Sequence, residues 1–371
     1  MIPVFGKPKA MVSLYVDAGS SAVKFCVLKS WPAGREILAC DSIPTTKFAW
    51  EKDTHTVIAN AKKHFSGISE IIFNLSPSVF RAGVFEYSFT RKNPSAAITL
   101  KEEQSLGKEM LGLARKEMTE YFSKIYGIPP EELMVMKIKM VHAEISGYSV
   151  SHLRGYAGPS LRLRVLGTCL PIEYKNFFDR LKRLYKIKQL KLSHWAEGIE
   201  AFAIGQKHDG IFIDAGDQMT QLAVMRQHTI LGVQDVKYGG DNFSYALEMK
   251  LGFQETMARD FKERYSRNEF TEEMRKKMHD VFQPEAQKWV ALCKEKLLSM
   301  NNVLPSKIFL MGGGSQLPEI ATELTASFED LPINGNLEIT FLDPQNVIKN
   351  IKHSKGGNVI YTPLFLLTYG K

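Results

Sequence analysis

Cysteine is scarce, with four in 371 residues: Cys26, Cys40, Cys169 and Cys293. No two stand at Cys-x-x-Cys spacing, and none lies near a His at zinc-ligand spacing. That argues against a disulfide framework and a structural zinc site, and for a reducing, cytoplasmic setting. No apolar run approaches the roughly 18 residues that a helix needs to cross a bilayer. The opening MIPVFGKPKAMVSLYVDAG has no long apolar core and no small-residue cleavage site, so it does not read as a signal peptide. Neither G-x-x-x-x-G-K-[ST] nor a strand followed by G-x-G-x-x-G is present, which removes the P-loop and the dinucleotide fingerprint. At 44% hydrophobic and 24% charged residues, the chain is neither disordered nor low-complexity.

Acid is in deficit: 48 Lys and Arg face 40 Asp and Glu, a formal net charge of +8. The excess is spread out except in RLKRLYKIKQLK, where Arg180, Lys182, Arg183, Lys186, Lys188 and Lys191 occur without an acid. The plain reading is the solvated face of an amphipathic helix followed by an edge strand, with an anionic membrane surface as the functional alternative. No base-stacking signature or DNA-reading motif accompanies the run, so nucleic acid is not an expected partner.

What is present is a pattern of short strands, tight turns and helices. VSLYVD, a turn and CVLK read as two strands, and ISEIIFNLSP reads as another that ends at Pro77. A helix is expected over 54–65, and the longest over 101–126, with Thr99 as N-cap, a stripe of Leu106, Met110, Leu113, Met118, Phe122 and Ile125, and a stop at Pro129-Pro130. Three strand-like runs follow between 133 and 171, then helices at 173–186 and 194–205. Residues 241–298 are mostly helical, and the tail after Thr362-Pro363 reads as a buried helix.

One repeat stands out. YVDAGSSAVKFCVLK and FIDAGDQMTQLAVMR, about 200 residues apart, both read as strand, Asp-Ala-Gly turn, strand. In the first, Asp17, Gly19, Ser20, Ser21 and Lys24 offer a turn whose amides make an anion nest, two hydroxyl donors, a point charge and a carboxylate for a hard cation. In the second, Asp214, Gly216, Asp217 and Thr220 offer the same from the other side. A third segment, Gly312-Gly313-Gly314-Ser315, follows the strand-like KIFLM, where bare backbone lets a flat group lie close. Taken singly, each of the first two is equally a plain hairpin turn.

In this order and at these separations, the three segments resemble the actin-like ATPase superfamily. The finer likeness covers residues from about 12 to 371 and is to the FtsA family of bacterial division. It is carried by ISGYSVSHLRGYAGPSLRLRVLGTCLP, WAEGIEAFAIGQKHDGIFIDAG, Tyr238-Gly239-Gly240-Asp241, MGGGSQLPEI and YTPLFLLTYGK. The opening VDAGSSAVKF and GGDNFSYALEMKLGFQETMARDFK are equally similar to the PilM family of type IV pilus assembly.

The resemblance implies an α/β fold of two lobes around a nucleotide cleft, with an inserted strand-helix-strand-strand module. Residues 12–76, 171–207 and 343–371 would form the first lobe, 77–170 the partner-binding module, and 208–342 the second lobe, including a helical subdomain at 240–305. It implies ATP with Mg²⁺, held through water by Asp17 and Asp214. Gly239, Gly240, Lys262 and the 312–315 turn would lie on the nucleotide, and Glu197 would position water. Two positions depart from the family text: Gln218 replaces a small residue, and Arg259, in place of Glu before Lys262, cannot accept a bond from a ribose hydroxyl.

The function implied is an ATP-binding scaffold of the FtsA type, at most a slow ATPase. It would self-associate into filaments or dimers, dock the tail of a tubulin-like division protein, and sit at the inner membrane face through a partner or an amphipathic tail. The alternatives are a PilM-type platform docking a pilus partner, a non-hydrolysing pseudo-ATPase, and, less favoured, a small-molecule kinase of the same fold.

Overall fold

The computed structural model describes residues 10–32, 34–46, 49–300, 302–328, 331–348 and 359–369. Residues 1–9, read above as lacking a signal peptide, and the parts of the first-lobe assignment at 33, 47–48, 349–358 and 370–371 lie outside them.

The repeated turn seeds two sheets of matching topology. In the first, β1 (Met11–Ala18) lies between β2 (Ala22–Trp31), antiparallel, and β4 (Ile68–Leu75), parallel. β3 (Gly34–Pro44) and β9 (Gln189–Leu192) form the edges, in the order β3-β2-β1-β4-β9. In the second, β10 (Gly210–Ala215) lies between β11 (Thr220–Arg226), antiparallel, and β13 (Leu304–Met311), parallel. β12 (Thr229–Val236) and β14 (Ile333–Phe341) complete the order β12-β11-β10-β13-β14. The central strands are buried on both faces, as the near-continuous apolar runs LYV and IFI require.

A third sheet, β5-β8-β6-β7, holds β5 (Arg81–Thr90), β8 (Ser160–Pro171), β6 (Leu133–Ile145) and the two-residue β7 (Tyr148–Ser149). Phe85, Tyr87 and Phe89 point from β5 into a core closed by α2 (Leu100–Tyr126). Thr99 caps α2 by accepting the Glu102 amide, as expected, at 3.2 Å. The stop comes earlier than Pro129: Gly127 takes φ +70, the left-handed exit that glycine adopts without a Cβ penalty. Leu113 faces out at 46% exposure, and Ala114 takes the buried place between Met110 and Met118.

Helices cover the sheets. α1 (Trp50–His64) and α3 (Glu173–Leu184) pack on the first. α5 (Gly240–Leu251), α6 (Glu255–Ser266), α7 (Glu272–Leu298) and α8 (Pro318–Ser327) build the second core around Trp289 and Phe282. Between the two sheets run α4 (Trp195–Gln206), the one-turn α9 (Pro344–Val347) and α10 (Thr362–Leu366), in a core with Trp195, Phe202, Phe212 and Phe365. Each such side chain contributes about 1.5–3 kcal/mol of burial. α4 and α10 touch backbone to backbone, because a Cβ on Gly198 would stand 2.3 Å from the Leu366 carbonyl. The tail is therefore a buried helix, shorter than the sequence suggests.

A buried histidine joins these layers. His194 caps α4 by accepting the Ala196 amide at 3.2 Å, bonds the Phe80 backbone and faces the Gln221 amide at 3.4 Å. Burial pulls its pKa down to about 3. Its ordinary value is near 6.5, so between those two values the unfolded chain binds the proton and the folded chain does not. Stability attributable to this group is therefore lost as pH falls below about 6.5, by about 2 kcal/mol at pH 5. The buried carboxyls with raised pKa act in the opposite direction, so the comparison is differential. His194→Asn keeps a cap and should show a shallower loss of urea midpoint between pH 7 and 5 than the parent chain. Parallel losses would mean His194 is solvated.

Candidate functional site

Asp17 and Asp214 occupy equivalent places at the C-terminal ends of the central strands β1 and β10. Strand register fixes the partners of Asp17: Lys24 lies opposite on β2 and Asn74 opposite on β4. Lys24 Nζ reaches Asp17 Oδ2 at 3.1 Å, and Asn74 Nδ2 donates to Oδ1 at 2.9 Å. Lys24 also lies in the field of Asp214 and of Tyr361. Burial acts to lower the Lys24 pKa, but Asp17 and Asp214 outweigh it and hold the ammonium charged. Burial pushes the Asp214 carboxyl up to about 6, with Lys24 opposing and Asp17 reinforcing the rise. Two carboxylates and one lysine thus converge with negative charge in excess.

Both turns close the same way. The Gly19 amide donates to the Ala22 carbonyl and the Gly216 amide to the Met219 carbonyl, each at 3.0 Å. Those two amides are spent in the turns and are not free for phosphate, contrary to the expectation for Gly19 and Gly216. The tips remain: Ser20 lies near enough to the Asp217 carboxylate of the opposite turn to act on its pKa, so the two turns face each other. Ser21 sits beside it and uses its carbonyl to accept the Thr45 amide at 2.9 Å. Gln218 is half-buried in the second turn.

Gly239 and Gly240 serve packing. The Gly240 and Asp241 amides donate to the carbonyls of Gly216 (2.9 Å) and Asp217 (2.7 Å), which clamps the start of α5 onto the second turn. A Cβ on Gly239 would meet the Asp217 carbonyl at 2.4 Å. Lys262 Nζ donates to the Gly240 carbonyl at 2.8 Å, and burial lowers its pKa despite the nearby Asp217. Arg259 ion-pairs with Asp241 at 2.9 Å and approaches Asp217 at 3.8 Å. The residue that departs from the family text therefore ties α6 to the second turn.

The glycine turn lies on the same strand end. Gly312 has φ +84, and a Cβ there would stand 2.3 Å from Asp214 Oδ1. Gly314 packs on the Ala215 carbonyl, whereas a Cβ on Gly313 would meet only Ile360, at 3.8 Å. Ser315 is fully buried and donates to the Gly312 carbonyl at 2.7 Å, so it shapes the turn and presents nothing outward.

Two expected residues are engaged elsewhere. Thr220 is fully buried, donates to the Tyr238 carbonyl at 2.8 Å and accepts from the Trp289 indole at 2.7 Å, which leaves no hydroxyl proton for a phosphate. Glu197, expected to position water, is held by a lysine through one of its two carboxylate oxygens. It is 3% exposed and ion-paired with Lys137 of β6 at 2.6 Å. Burial raises its pKa and Lys137 opposes the rise. Glu200 pairs likewise with Lys139. Asn74 and Tyr361 join the site unanticipated; Asn74 carries a sequence signal, since it is the polar residue ending the apolar run IIF.

No family model and no curated protein matches the chain. Solved structures do. The PilM–PilN type IV pilus biogenesis complex aligns over 96% of this chain and 98% of that one, at 17% identity and a TM-score of 0.70. The ethanolamine utilization protein EutJ from Carboxydothermus hydrogenoformans aligns over 98% and 91%, at 12% and 0.51. A nucleotide-free diol dehydratase-reactivating factor aligns over 97% and 100%, at 10% and 0.50. The chain is a mixed α/β protein with the actin-like ATPase fold.

Proposed function

We propose that the chain is an ATP-binding scaffold that docks a partner segment on its four-stranded β5-β8-β6-β7 sheet. The observation that carries the reading is the convergence of Asp17, Lys24 and Asp214 with the Ser20–Ser21 and Gly312–Gly314 turns at the ends of two equivalent strands. Hard oxygen donors with surplus negative charge fit Mg²⁺, with Asp17 and Asp214 as the residues that would hold it through water. When bound, the ion would neutralise polyphosphate charge. Lys24 would contribute the protein's own cation, and the Ser20 and Ser21 hydroxyls would donate to phosphate oxygens. Turnover is at most slow, since Glu197, the water-positioning candidate, has one carboxylate oxygen tied to Lys137.

The FtsA-type and PilM-type readings share this core. The alignment with PilM bound to PilN, over nearly the whole chain, supports the pilus-type role: a platform beneath the membrane that binds a short segment of a second protein. Self-association belongs to both readings.

Calorimetric titration of ATP with Mg²⁺ tests the site. The parent chain should bind in the micromolar range, and Asp214→Ala should lose Mg²⁺-dependent binding. Absence of heat from the parent chain at millimolar ATP would leave a docking scaffold without nucleotide.

A further inference from the structure

The basic run from Arg180 to Lys191 takes no part in the cleft. α3 turns Phe177, Phe178 and Leu181 into the first core and lays Tyr174 and Tyr185 against Trp50 and His55 of α1. Its outer surface and the connection to β9 carry Lys182, Arg183, Lys186 and Lys188, all exposed. Arg180 and Lys191 at the margins have acids, Glu51 at 3.9 Å and Glu70 at 2.6 Å. Lys182, Arg183, Lys186 and Lys188 have no ion pair among the described residues. In the middle of the unpaired cations Leu184 is 64% exposed, although one turn earlier Leu181 is fully buried.

Four cations close in sequence and without an ion pair repel one another, and an exposed leucine among them gains nothing in water. Both features become favourable against phosphate groups with acyl chain beneath them. We propose that this corner of the first sheet layer, Lys182 to Lys188 with Leu184, seats the protein directly on an anionic lipid surface. Leu184 enters the headgroup layer and the four cations lie in the phosphate plane. The inserted group is aliphatic, and the nearest ring, Tyr185, is turned inward against His55, so bases have no stacking platform here. The contact is independent of the nucleotide reading and of any partner that reaches the membrane.

Co-sedimentation with vesicles tests it, without ATP so that failure here leaves the cleft untouched. The parent chain should pellet with equal parts phosphatidylcholine and phosphatidylglycerol, stay in solution with phosphatidylcholine alone, and be released by salt. Lys182→Gln/Arg183→Gln/Lys186→Gln/Lys188→Gln should weaken partitioning on the order of a thousandfold. Leu184→Ser should weaken it roughly tenfold with charge unchanged. Melting curves matching the parent would confirm that both variants fold. The proposal fails if the parent chain ignores anionic vesicles at low salt, or if the quadruple variant binds them equally. It also fails if Leu184→Ser is silent while polyglutamate or duplex DNA competes the protein off the vesicles, which would assign the corner to an acidic macromolecule.

Discussion

Arg81→Met is expected to lower the unfolding free energy by about 3–5 kcal/mol, and Asp235→Asn in the same chain is expected to return much of that loss. Arg81 is 5% exposed at the root of β5, and its guanidinium reaches Asp235 of β12 at 2.5 Å and lies 5.1 Å from the Tyr126 ring centroid. Burial pushes the Asp235 carboxyl up, and Arg81 and a bond from Gln221 at 2.9 Å hold it down. Methionine preserves most of the volume but strands that carboxylate with Gln221 alone. The aspartate must then take up a proton or remain an uncompensated buried charge. Asparagine removes the charge while keeping an acceptor for Gln221, so the double variant should lie closer to the parent than Arg81→Met does. Urea denaturation followed by circular dichroism measures all four corners of the cycle. A single-variant loss within about 1 kcal/mol would mean that water enters between the third sheet and β12.

That ion pair marks the boundary of what the sequence could disclose. Arg81 and Asp235 are 154 residues apart, and neither carries a local signature. The Asp-Ala-Gly turns were legible because turn chemistry is local, and the repeat was legible because both halves solve one problem, a central strand that must end in a tight antiparallel return. The matching sheet orders are the same fact at the level of topology. The edge strands were harder. GREILACDSIP in β3 mixes polar and apolar residues without strict alternation, and neither it nor β5, where Phe85, Tyr87 and Phe89 alternate cleanly, is among the strands expected from the sequence.

Site roles failed where a side chain's partner lay on a distant element. Thr220 looks like a phosphate ligand until Trp289 arrives from α7. Glu197 belongs to WAEGIEAFAIGQ, whose apolar residues surround the helix rather than forming a stripe, and a helix of that kind is buried. A glutamate on it must then find a cation, and the lysines of β6 supply two. Gly239, Gly240 and Gly312 are expected on the nucleotide, and in the fold what approaches them is this chain's own Asp217 carbonyl, Lys262 ammonium and Asp214 carboxylate.

The glycine turn allows the sharpest separation of packing from ligand binding. Gly312→Ala should cost several kcal/mol and abolish ATP binding, while Gly313→Ala, one residue on, should leave stability within about 0.5 kcal/mol of the parent. At 312 the backbone has φ +84, which alanine adopts at about 1–2 kcal/mol. Its methyl would stand 2.3 Å from Asp214 Oδ1 and 2.6 Å from the Ala215 carbonyl. The carboxylate can swing aside, but the carbonyl belongs to the central strand, so the turn itself must lift and take Asp214 out of the field of Lys24. At 313, φ is −66, ordinary helical backbone, and the methyl meets only Ile360 at 3.8 Å. If adenosine rests on this bare backbone, Gly313→Ala loses ATP affinity while melting like the parent. Unchanged affinity in a stable Gly313→Ala would move the nucleoside off the turn and leave Gly312 as the purely structural support of Asp214.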